Sequence, residues 1–352
     1  MEVTVLSGHR GEIGVDHGRA HAGRITDSIA VYDRLFQDFV GLSWHQARHR
    51  AQRFLPALER HFPAILEEVD GLARGAGVDF DDILTLNCRS EISLTQASGG
   101  CSAFSLYRRG QQWLAQNWDW RRDQQRNVVA LTISADDAPP LVSVGEAGMV
   151  AKIGLNAHGI GVCLNAIRSQ TCGDGLPIHF ALRKILESPD FTAARRVATH
   201  DHVASPAHFL LASADGQAAG LEVHPGPPGE IPPRDGIVTH TNHLYATTAT
   251  AGVKDFPRPD SYPRLTRLDA LLAQPVAADP DALFALLSDH HNAPTGICRH
   301  TNHAQPEAER METLFAVVMD LSRRELHLRL GKPCESVDTL RVTLPASPSS
   351  VP

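Results

Sequence analysis

The amino-acid sequence predicts a layered α+β fold, because helical and strand-like segments alternate in blocks along the chain. Apolar residues recur at three- and four-residue steps over residues 25–88, which is the period of an amphipathic helix. From residue 101 the pattern changes to short apolar or alternating runs that are typical of strands. A second helical block and further strands follow. We expect one folded unit, since the loops between the blocks do not have the character of domain linkers.

The first quarter of the chain is predicted to be entirely helical. Pro56 is a favourable first residue for a helix, and we expect that helix to end at Gly75 and Gly77. Asp79 is an N-cap residue for a further short helix over residues 80–87. Acidic residues in the first turn of that helix interact favourably with its dipole.

After a loop at residues 95–100, five strand-like runs are expected to form an antiparallel meander, at residues 101–106, 112–118, 128–134, 141–144 and 159–164. Helices are predicted at residues 178–187, 191–199, 265–272 and 281–287. Further strands are predicted at residues 208–212, 220–223, 237–241, 314–319 and 325–330. The Pro- and Gly-rich stretch 225–236 is expected to be a loop, and the tail 345–352 is expected to be disordered.

Charge and composition exclude several classes of protein. The 352 residues include 33 basic and 40 acidic side chains, so the net charge is −7. A mildly acidic surface without a basic run attracts neither nucleic acid nor an anionic membrane. The chain has no apolar stretch long enough to span a bilayer, and its first residues do not resemble a signal peptide. We therefore expect a cytoplasmic protein, and its six scattered cysteines are expected to be free thiols.

Two residues with reactive side chains stand at strand boundaries. Cys101 follows Gly100 where a glycine loop enters a strand, which is a position for an accessible thiol nucleophile. Asp119 lies between two tryptophans at the end of the next strand, where a carboxylate is expected to be paired or catalytic. Taken alone, a buried structural cysteine and a turn-capping aspartate are the commoner interpretations.

Two later polar residues fit the same chemistry. Asn242 follows a strand and carries an amide suited to donating to an oxyanion, and Arg299 could clamp a carboxylate. An ordinary loop asparagine and a solvated arginine are the alternatives. Histidines cluster at residues 290–291 and 300–303, but no metal-binding motif has the required spacing. The sequence therefore predicts no metal and no cofactor.

Three motifs taken together resemble one known family. They are Gly-Cys-Ser at residues 100–102, Asn-Trp-Asp-Trp at 117–120 and Thr-Asn-His at 241–243. Further matching segments occur in the same order, at residues 8–18, 87–91, 154–160, 164–166, 261–272 and 297–300. The chain thereby resembles the isopenicillin N acyltransferase family, also called acyl-coenzyme A:6-aminopenicillanic acid acyltransferases, which are N-terminal-nucleophile hydrolases. The resemblance covers roughly residues 8–330.

The resemblance implies a four-layer αββα sandwich with a helical N-terminal pro-segment. It also implies a precursor that cuts itself between Gly100 and Cys101. Residues 1–100 would then be the small chain and residues 101–344 the large chain of one folded unit, a heterodimer of the two pieces.

The resemblance also implies roles for the residues named above. Cys101 is the nucleophile, its freed α-amino group is the general base, and Asn242 lines the oxyanion hole. Asp119 is expected to orient the terminal ammonium group, and Arg299 to organise the pocket or bind a carboxylate. Further candidates for the substrate pocket are Asn117, Asn165 and His243.

The resemblance leaves the substrate open. It implies a small-molecule amide or acyl compound, acyl-coenzyme A among them, with transfer of the acyl group to water or to an amine. Residues 223–225 (Val-His-Pro) depart from the family, which has a serine in this region, so the penicillin substrate is not carried over. One alternative is a bile-salt-hydrolase-like amidase without a large pro-segment. Another is a non-catalytic binding protein on the same fold.

Overall fold

The structure is a computed structural model and describes residues 1–93, 100–200, 203–246, 252–336 and 338–345. Within those residues, no helix is both long enough and apolar enough to cross a membrane. Most of the tail expected to be disordered, and most of the loop expected at residues 95–100, lie outside the described residues.

The strands form two sheets that pack face to face. The strands are β1 Val3–Gly8, β2 Ser102–Arg108, β3 Gln111–Trp120, β4 Val128–Ala135, β5 Leu141–Glu146, β6 Ile153–Asn156, β7 Ile160–Ala166, β8 Ala207–Ser213, β9 Ala218–Val223, β10 Gly229–Ile231, β11 Ile237–His240, β12 Glu312–Asp320, β13 Glu325–Leu330 and β14 Leu340–Thr343. The first sheet has the order β1-β4-β5-β6-β7-β8-β9-β10, and the second has the order β11-β2-β3-β12-β13-β14. Strands β2 and β3 contact β7 and β8 across the interface. Both sheets therefore share one apolar core.

Helices cover the outer faces of the two sheets. The helices are α1 Arg10–Val40, α2 Trp44–Gln52, α3 Leu55–His61, α4 Ala64–Ala76, α5 Phe80–Asn87, α6 Arg89–Ser93, α7 Ile178–Leu186, α8 Phe191–His200, α9 Ser261–Leu272 and α10 Pro280–Leu287. Helices α7 and α8 pack on the first sheet, and α9 and α10 pack on the second. The layers thus follow the order helix, sheet, sheet, helix. The N-terminal helices form a further group in which α1 packs along α4.

The prediction of an entirely helical first quarter is wrong. Residues 3–8 form β1, which pairs in parallel with β4, and Val3 lies opposite Ala130. Helix α1 then begins at Arg10, well before the predicted start of the helical pattern. The partner strand is so distant in the chain that local periodicity carries no sign of this pairing.

The prediction of one helix from Pro56 to Gly75 is also wrong. The segment forms two helices, α3 with Pro56 in its first turn and α4 after Pro63. Gly77 ends α4 in the left-handed conformation with φ 70°, as expected for a helix C-terminus. Gly75 instead lies inside α4, where a Cβ atom would be 2.1 Å from the backbone oxygen of Val15 in α1. Its role is close helix packing.

The five runs predicted as one meander belong to two sheets. The first two form β2 and β3 in the second sheet, and the other three lie in the first sheet. The remaining predicted helices and strands are present within a few residues of the expected bounds. Three short strands were not predicted, namely β6, β14 and β10 inside the Pro- and Gly-rich stretch. Strands of three or four residues cover at most two periods of the alternation, so their sequence pattern is weak.

Candidate active site

Cys101 lies immediately before β2, at the end of the strand that pairs with β3. Its side chain is buried with 2% exposure. Burial, together with the nearby carboxyl group of Asp119, raises the pKa of the Cys101 thiol above its usual range. The backbone oxygen of Cys101 accepts a hydrogen bond of 2.7 Å from Arg264 Nη1. The backbone of the candidate nucleophile is therefore held by a buried cation.

Gly100 packs directly against the guanidinium group of Arg299. A Cβ atom at this position would lie 2.4 Å from Arg299 Nε and 2.7 Å from Nη2. Such distances are far inside van der Waals contact, so a larger residue would displace the arginine. The close approach of Arg299 explains why residue 100 is a glycine. It also places a positive charge beside the Gly100–Cys101 peptide bond.

Asp119 lies on β3, fully buried, next to a β-bulge in β12. One carboxylate oxygen accepts a 2.7 Å hydrogen bond from the Thr313 hydroxyl, and the other accepts a 3.1 Å bond from Arg299 Nε. Burial raises the pKa of Asp119 to about 6, although Arg299 and Arg264 act in the opposite direction. Asp119 is thus ionised at neutral pH and paired with Arg299.

Arg264 on α9 is central to the site but was not singled out from the sequence. It is 1% exposed and donates to Cys101, to the Ser102 hydroxyl at 3.1 Å and to Asn242 Oδ1 at 2.9 Å. The one available signal was its spacing from Asp260, four residues earlier at the start of a helix. That spacing also suits an exposed ion pair, so it could not reveal the burial.

Asp260 joins the two arginines of the site. Its Oδ2 atom accepts a 3.1 Å hydrogen bond from Arg264 Nε and another from Arg299 Nη2. Burial alone would raise the pKa of Asp260, but the two guanidinium groups lower it below its ordinary value. The carboxylates of Asp119 and Asp260 therefore balance the two buried cations.

Asn242 follows β11 and is held in one orientation by three hydrogen bonds. Its backbone N–H donates to Ser261 Oγ at 2.8 Å, and its Oδ1 accepts from Arg264. Its side-chain nitrogen donates to the Ala166 carbonyl oxygen at 2.9 Å. A primary amide nitrogen carries two hydrogens. The second hydrogen of Asn242 can therefore be donated to an acceptor other than the Ala166 carbonyl oxygen.

Asn117 lies on β3 and connects the strand to the segment that carries Arg299. Its amide nitrogen donates to the backbone oxygens of Leu287 at 2.8 Å and Ile297 at 2.9 Å. Both of its amide hydrogens are therefore used inside the protein. The geometry gives this side chain a role in holding the Arg299 segment in place.

Asn165 and His243, the other two residues predicted for the substrate pocket, are also buried. The oxygen Oδ1 of Asn165 lies 3.0 Å from His208 Nδ1, and His243 Nδ1 lies 2.8 Å from Ser261 Oγ. Burial lowers the pKa of His243 to about 4, with a smaller contribution from His240. Like Asn117, neither lines the cavity beside Cys101, and their assignment to a substrate pocket stays a prediction.

A small cavity of about 30 Å³ adjoins Cys101. Its walls include Trp118 on β3 and Ala166 on β7, together with Arg89 and Ser93 from α6. A space of this size holds water but is too small for an acyl group. Residues of the N-terminal segment thus line the small space beside the thiol.

Lys152, like Arg89, is a buried cation that lines this cavity. It was not identified from the sequence. Its Nζ atom lies 2.9 Å from Glu146 Oε2 and 3.2 Å from the ring centroid of Trp118. Burial lowers the pKa of Lys152 to about 7, although Glu146 acts to raise it. The cavity thus contains a buried amine that is paired with the Glu146 carboxylate.

Two comparisons with known proteins identify the same family. Residues 107–335 match the family described as acyl-coenzyme A:6-aminopenicillanic acid acyl-transferase. The acyl-coenzyme A:6-aminopenicillanic-acid-acyltransferase 40 kDa form of Emericella nidulans is 29% identical over 337 residues, which are 94% of this chain and 93% of the relative.

Two solved structures have a similar fold. Both are variants of the conjugated bile acid hydrolase from Clostridium perfringens, with TM-scores of 0.52 and 0.51 and 11% sequence identity. Each match covers 69% of this chain and 92% of the hydrolase chain. At this identity the likeness concerns the fold alone.

Proposed function

Because the chain belongs to the acyl-coenzyme A:6-aminopenicillanic acid acyl-transferase family, we propose that it is a self-processing amidohydrolase or acyltransferase with Cys101 as its nucleophile. One observation carries the proposal. The Gly100–Cys101 peptide lies between two buried arginines, Arg264 on the Cys101 carbonyl and Arg299 against Gly100, and Asp119 is paired with Arg299. A thiol, a paired carboxylate and two guanidinium groups thus lie together at the peptide bond that is proposed to be cut.

The proposed self-cleavage is an N-to-S acyl shift followed by hydrolysis. Cys101 Sγ attacks the carbonyl carbon of Gly100, a C–S bond forms, and the C–N bond between the two residues breaks. The thiol proton passes to the departing nitrogen, which becomes a free α-amine. Water then hydrolyses the thioester, which leaves a carboxylate on Gly100 and restores the thiol. The Arg299 guanidinium beside Gly100 supports this step by placing a positive charge near the developing oxyanion.

In turnover, the new α-amine of Cys101 acts as the general base. An α-amine has an ordinary pKa of about 7.7–8.0, so it accepts the thiol proton near neutral pH. The thiolate attacks a substrate carbonyl and forms a thioester, and the released amine takes up a proton. The second N–H of Asn242 is the proposed donor to the oxyanion. Water or an acceptor amine then completes the reaction.

The small volume of the cavity beside Cys101 supports a precursor role for the uncut chain. Arg89 and Ser93 on α6 line this cavity together with Cys101, and its volume is large enough for water only. We infer that cleavage lets the end of the N-terminal segment move and makes room for the acyl group. Residues 1–100 then act as a pro-segment as well as a structural part of the enzyme.

The proposed substrate is a small-molecule amide or acyl compound. The relative from Emericella nidulans is named for acyl-coenzyme A and 6-aminopenicillanic acid, so acyl-coenzyme A is one acyl donor to test. Hydrolysis requires only water, whereas transfer also requires a bound acceptor amine that competes with water.

Intact-mass analysis of the purified protein tests the proposal. The 38.2 kDa chain should be recovered as pieces of about 11 and 27 kDa with Cys101 as the new N-terminus, because that residue is the attacking thiol. Cys101→Ala should remain one chain without activity. The matched control is Cys172→Ser, which changes a thiol outside the site and should be cut normally.

Two results would count against the proposal. An uncut wild-type chain that hydrolyses amides would favour the bile-salt-hydrolase-like alternative, in which no large pro-segment is removed. A cut chain that forms no thioester with any acyl substrate would favour a binding protein.

A further inference from the structure

Four metal-ligating side chains meet at one place outside the candidate active site. They come from three separate parts of the chain: His290 after α10, Cys298 and His300 before β12, and Cys334 after β13. One ligand atom from each lies within 4.8 Å of all the others. Cys298 is fully buried, and His290 is at the surface. The cluster therefore lies at the protein surface, with the buried Cys298 on its inner side.

Four of the distances within this cluster are close to those of a tetrahedral metal site. Zinc bonds of about 2.3 Å to sulfur and 2.0–2.1 Å to nitrogen place neighbouring ligands about 3.3–3.8 Å apart on a tetrahedron. The two sulfur atoms, of Cys298 and Cys334, are 3.4 Å apart. His300 Nε2 lies 3.4 Å from the Cys334 sulfur, 3.9 Å from the Cys298 sulfur and 3.1 Å from His290 Nε2.

We propose that His290, Cys298, His300 and Cys334 bind one Zn²⁺ ion. Two thiolates and two neutral imidazoles form a Cys₂His₂ set, and a tetrahedral site of this composition favours zinc among the common metals. All four positions are filled by protein ligands, so the ion has no open position for substrate. The site is structural.

The surroundings of the four ligands support the same conclusion. His300 directs Nε2 into the cluster, and its Nδ1 lies 3.7 Å from a carboxylate oxygen of Glu335. A carboxylate behind a ligating imidazole is a common arrangement, since it fixes the ring orientation. The nearby Lys332 contacts Glu335 and Glu312, so its charge is compensated. Two thiolates also neutralise the charge of the ion.

The position of the cluster gives the ion a consequence for the candidate active site. Arg299 lies between the ligands Cys298 and His300 in the chain, and its side chain contacts Asp119. Fixing both neighbours of Arg299 to a metal ion restricts the backbone that presents its guanidinium group. The proposed site therefore braces the segment that carries Arg299, but the ion takes no part in the chemistry.

Metal analysis of protein purified without chelators tests the proposal. We expect about one zinc ion per chain by elemental analysis, since all four ligands are supplied by the protein. Cys334→Ser and His290→Gln should each lower the zinc content at least about tenfold. The matched controls are Cys172→Ser and His291→Gln, which change the same residue types outside the cluster and should retain zinc.

A second measurement uses the wild-type protein alone, so that misfolding of a variant cannot decide the result. Removal of zinc with a chelator should lower the melting temperature, and added Zn²⁺ should restore it. Circular dichroism would verify that the His290→Gln variant is folded. Three results would overturn the proposal: no zinc uptake by the reduced protein, a Cys298–Cys334 disulfide in the intact mass, or another metal bound at one ion per chain.

Discussion

Two buried arginines share one carboxylate at the candidate site, and this sharing makes individual residues there unusually sensitive to change. Asp260 accepts from both Arg264 and Arg299, and Asp119 accepts from Arg299. Removing one partner of a buried ion pair leaves an uncompensated charge, which costs about 3–5 kcal/mol. Substitutions that keep the shape of a side chain are therefore the informative ones at this site.

The pH dependence of activity tests the role proposed for Asp119. Its pKa of about 6 keeps the carboxyl ionised above that pH. A negative charge near the Cys101 α-ammonium favours the charged form and raises its pKa. Activity requires the neutral amine, so the wild-type rate should rise with pH through roughly 7–8. Asp119→Asn should move this rise to lower pH by about 1 unit.

The measurement is a pH-rate profile on protein shown by mass to be fully cut. Asp123→Asn is the matched control, because this residue is close in sequence but is partly exposed and lies near Arg34 and Arg121, outside the candidate site. It should leave the profile unchanged. A profile that does not move in mature Asp119→Asn enzyme would place this carboxylate outside the neighbourhood of the amine.

At the level of helices and strands, the packing of α1 on α4 depends on glycine. A Cβ atom at Gly14 or Gly18 of α1, or at Gly71 or Gly75 of α4, would lie 2.1–2.3 Å from a backbone oxygen of the other helix. The two backbones are therefore in direct contact. Glycine destabilises an isolated helix, and here close packing offsets that cost.

Two Gly→Ala substitutions distinguish the effect of helix packing on stability from the effect of helix propensity. Gly75→Ala should lower the free energy of unfolding by about 1–3 kcal/mol, because its Cβ would overlap the Val15 backbone. Gly23→Ala, also in a helix but with no neighbour within 4 Å, should raise it by about 1 kcal/mol. Urea unfolding of both variants in the uncut Cys101→Ala background provides the measurement. Equal effects at the two positions would contradict the close contact.

For the whole molecule, the proposed cut divides the chain but not the fold. Strand β1 is an edge strand of the first sheet, so residues before the cut pair with β4 after it. Arg183 on α7 forms two hydrogen bonds of 2.7 Å with Glu68 on α4, and both side chains are buried. Arg10 likewise forms two bonds of 2.9 Å with Glu187. Sheet pairing and buried ion pairs thus connect the two pieces.

We therefore expect the two pieces to elute together in size-exclusion chromatography and to separate only in denaturant. Glu68→Gln should lower the stability of the cut complex by about 2 kcal/mol, because Arg183 loses one of its two carboxylate partners and keeps the pair with Glu187. The control Asp70→Asn removes an exposed pair with Arg74 and should change stability by less than about 0.5 kcal/mol. Loss of the small piece from wild-type protein under native conditions would contradict this expectation.

The amino-acid sequence was sufficient for features that depend on near neighbours in the chain. Most helices after residue 40 and most strands of more than five residues follow from periods of 3.6 and 2, which are set by local backbone geometry. The family followed from motifs in matching order and is confirmed. Cys101, Asp119 and Asn242 were named because each stands at the boundary of a strand-like run, and Arg299 because an arginine at the end of an apolar stretch suits a carboxylate.

Other features arise only when distant parts of the chain meet. Strand β1 exists because residues 3–8 find β4, and Arg264 belongs to the candidate site because α9 turns it toward Cys101. Likewise, Cys334 lies close to His290 and Cys298 only because β13 runs antiparallel to β12 and brings the chain back to this region. Burial and contact depend on three-dimensional packing, and a buried arginine or cysteine has the same local sequence pattern as an exposed one.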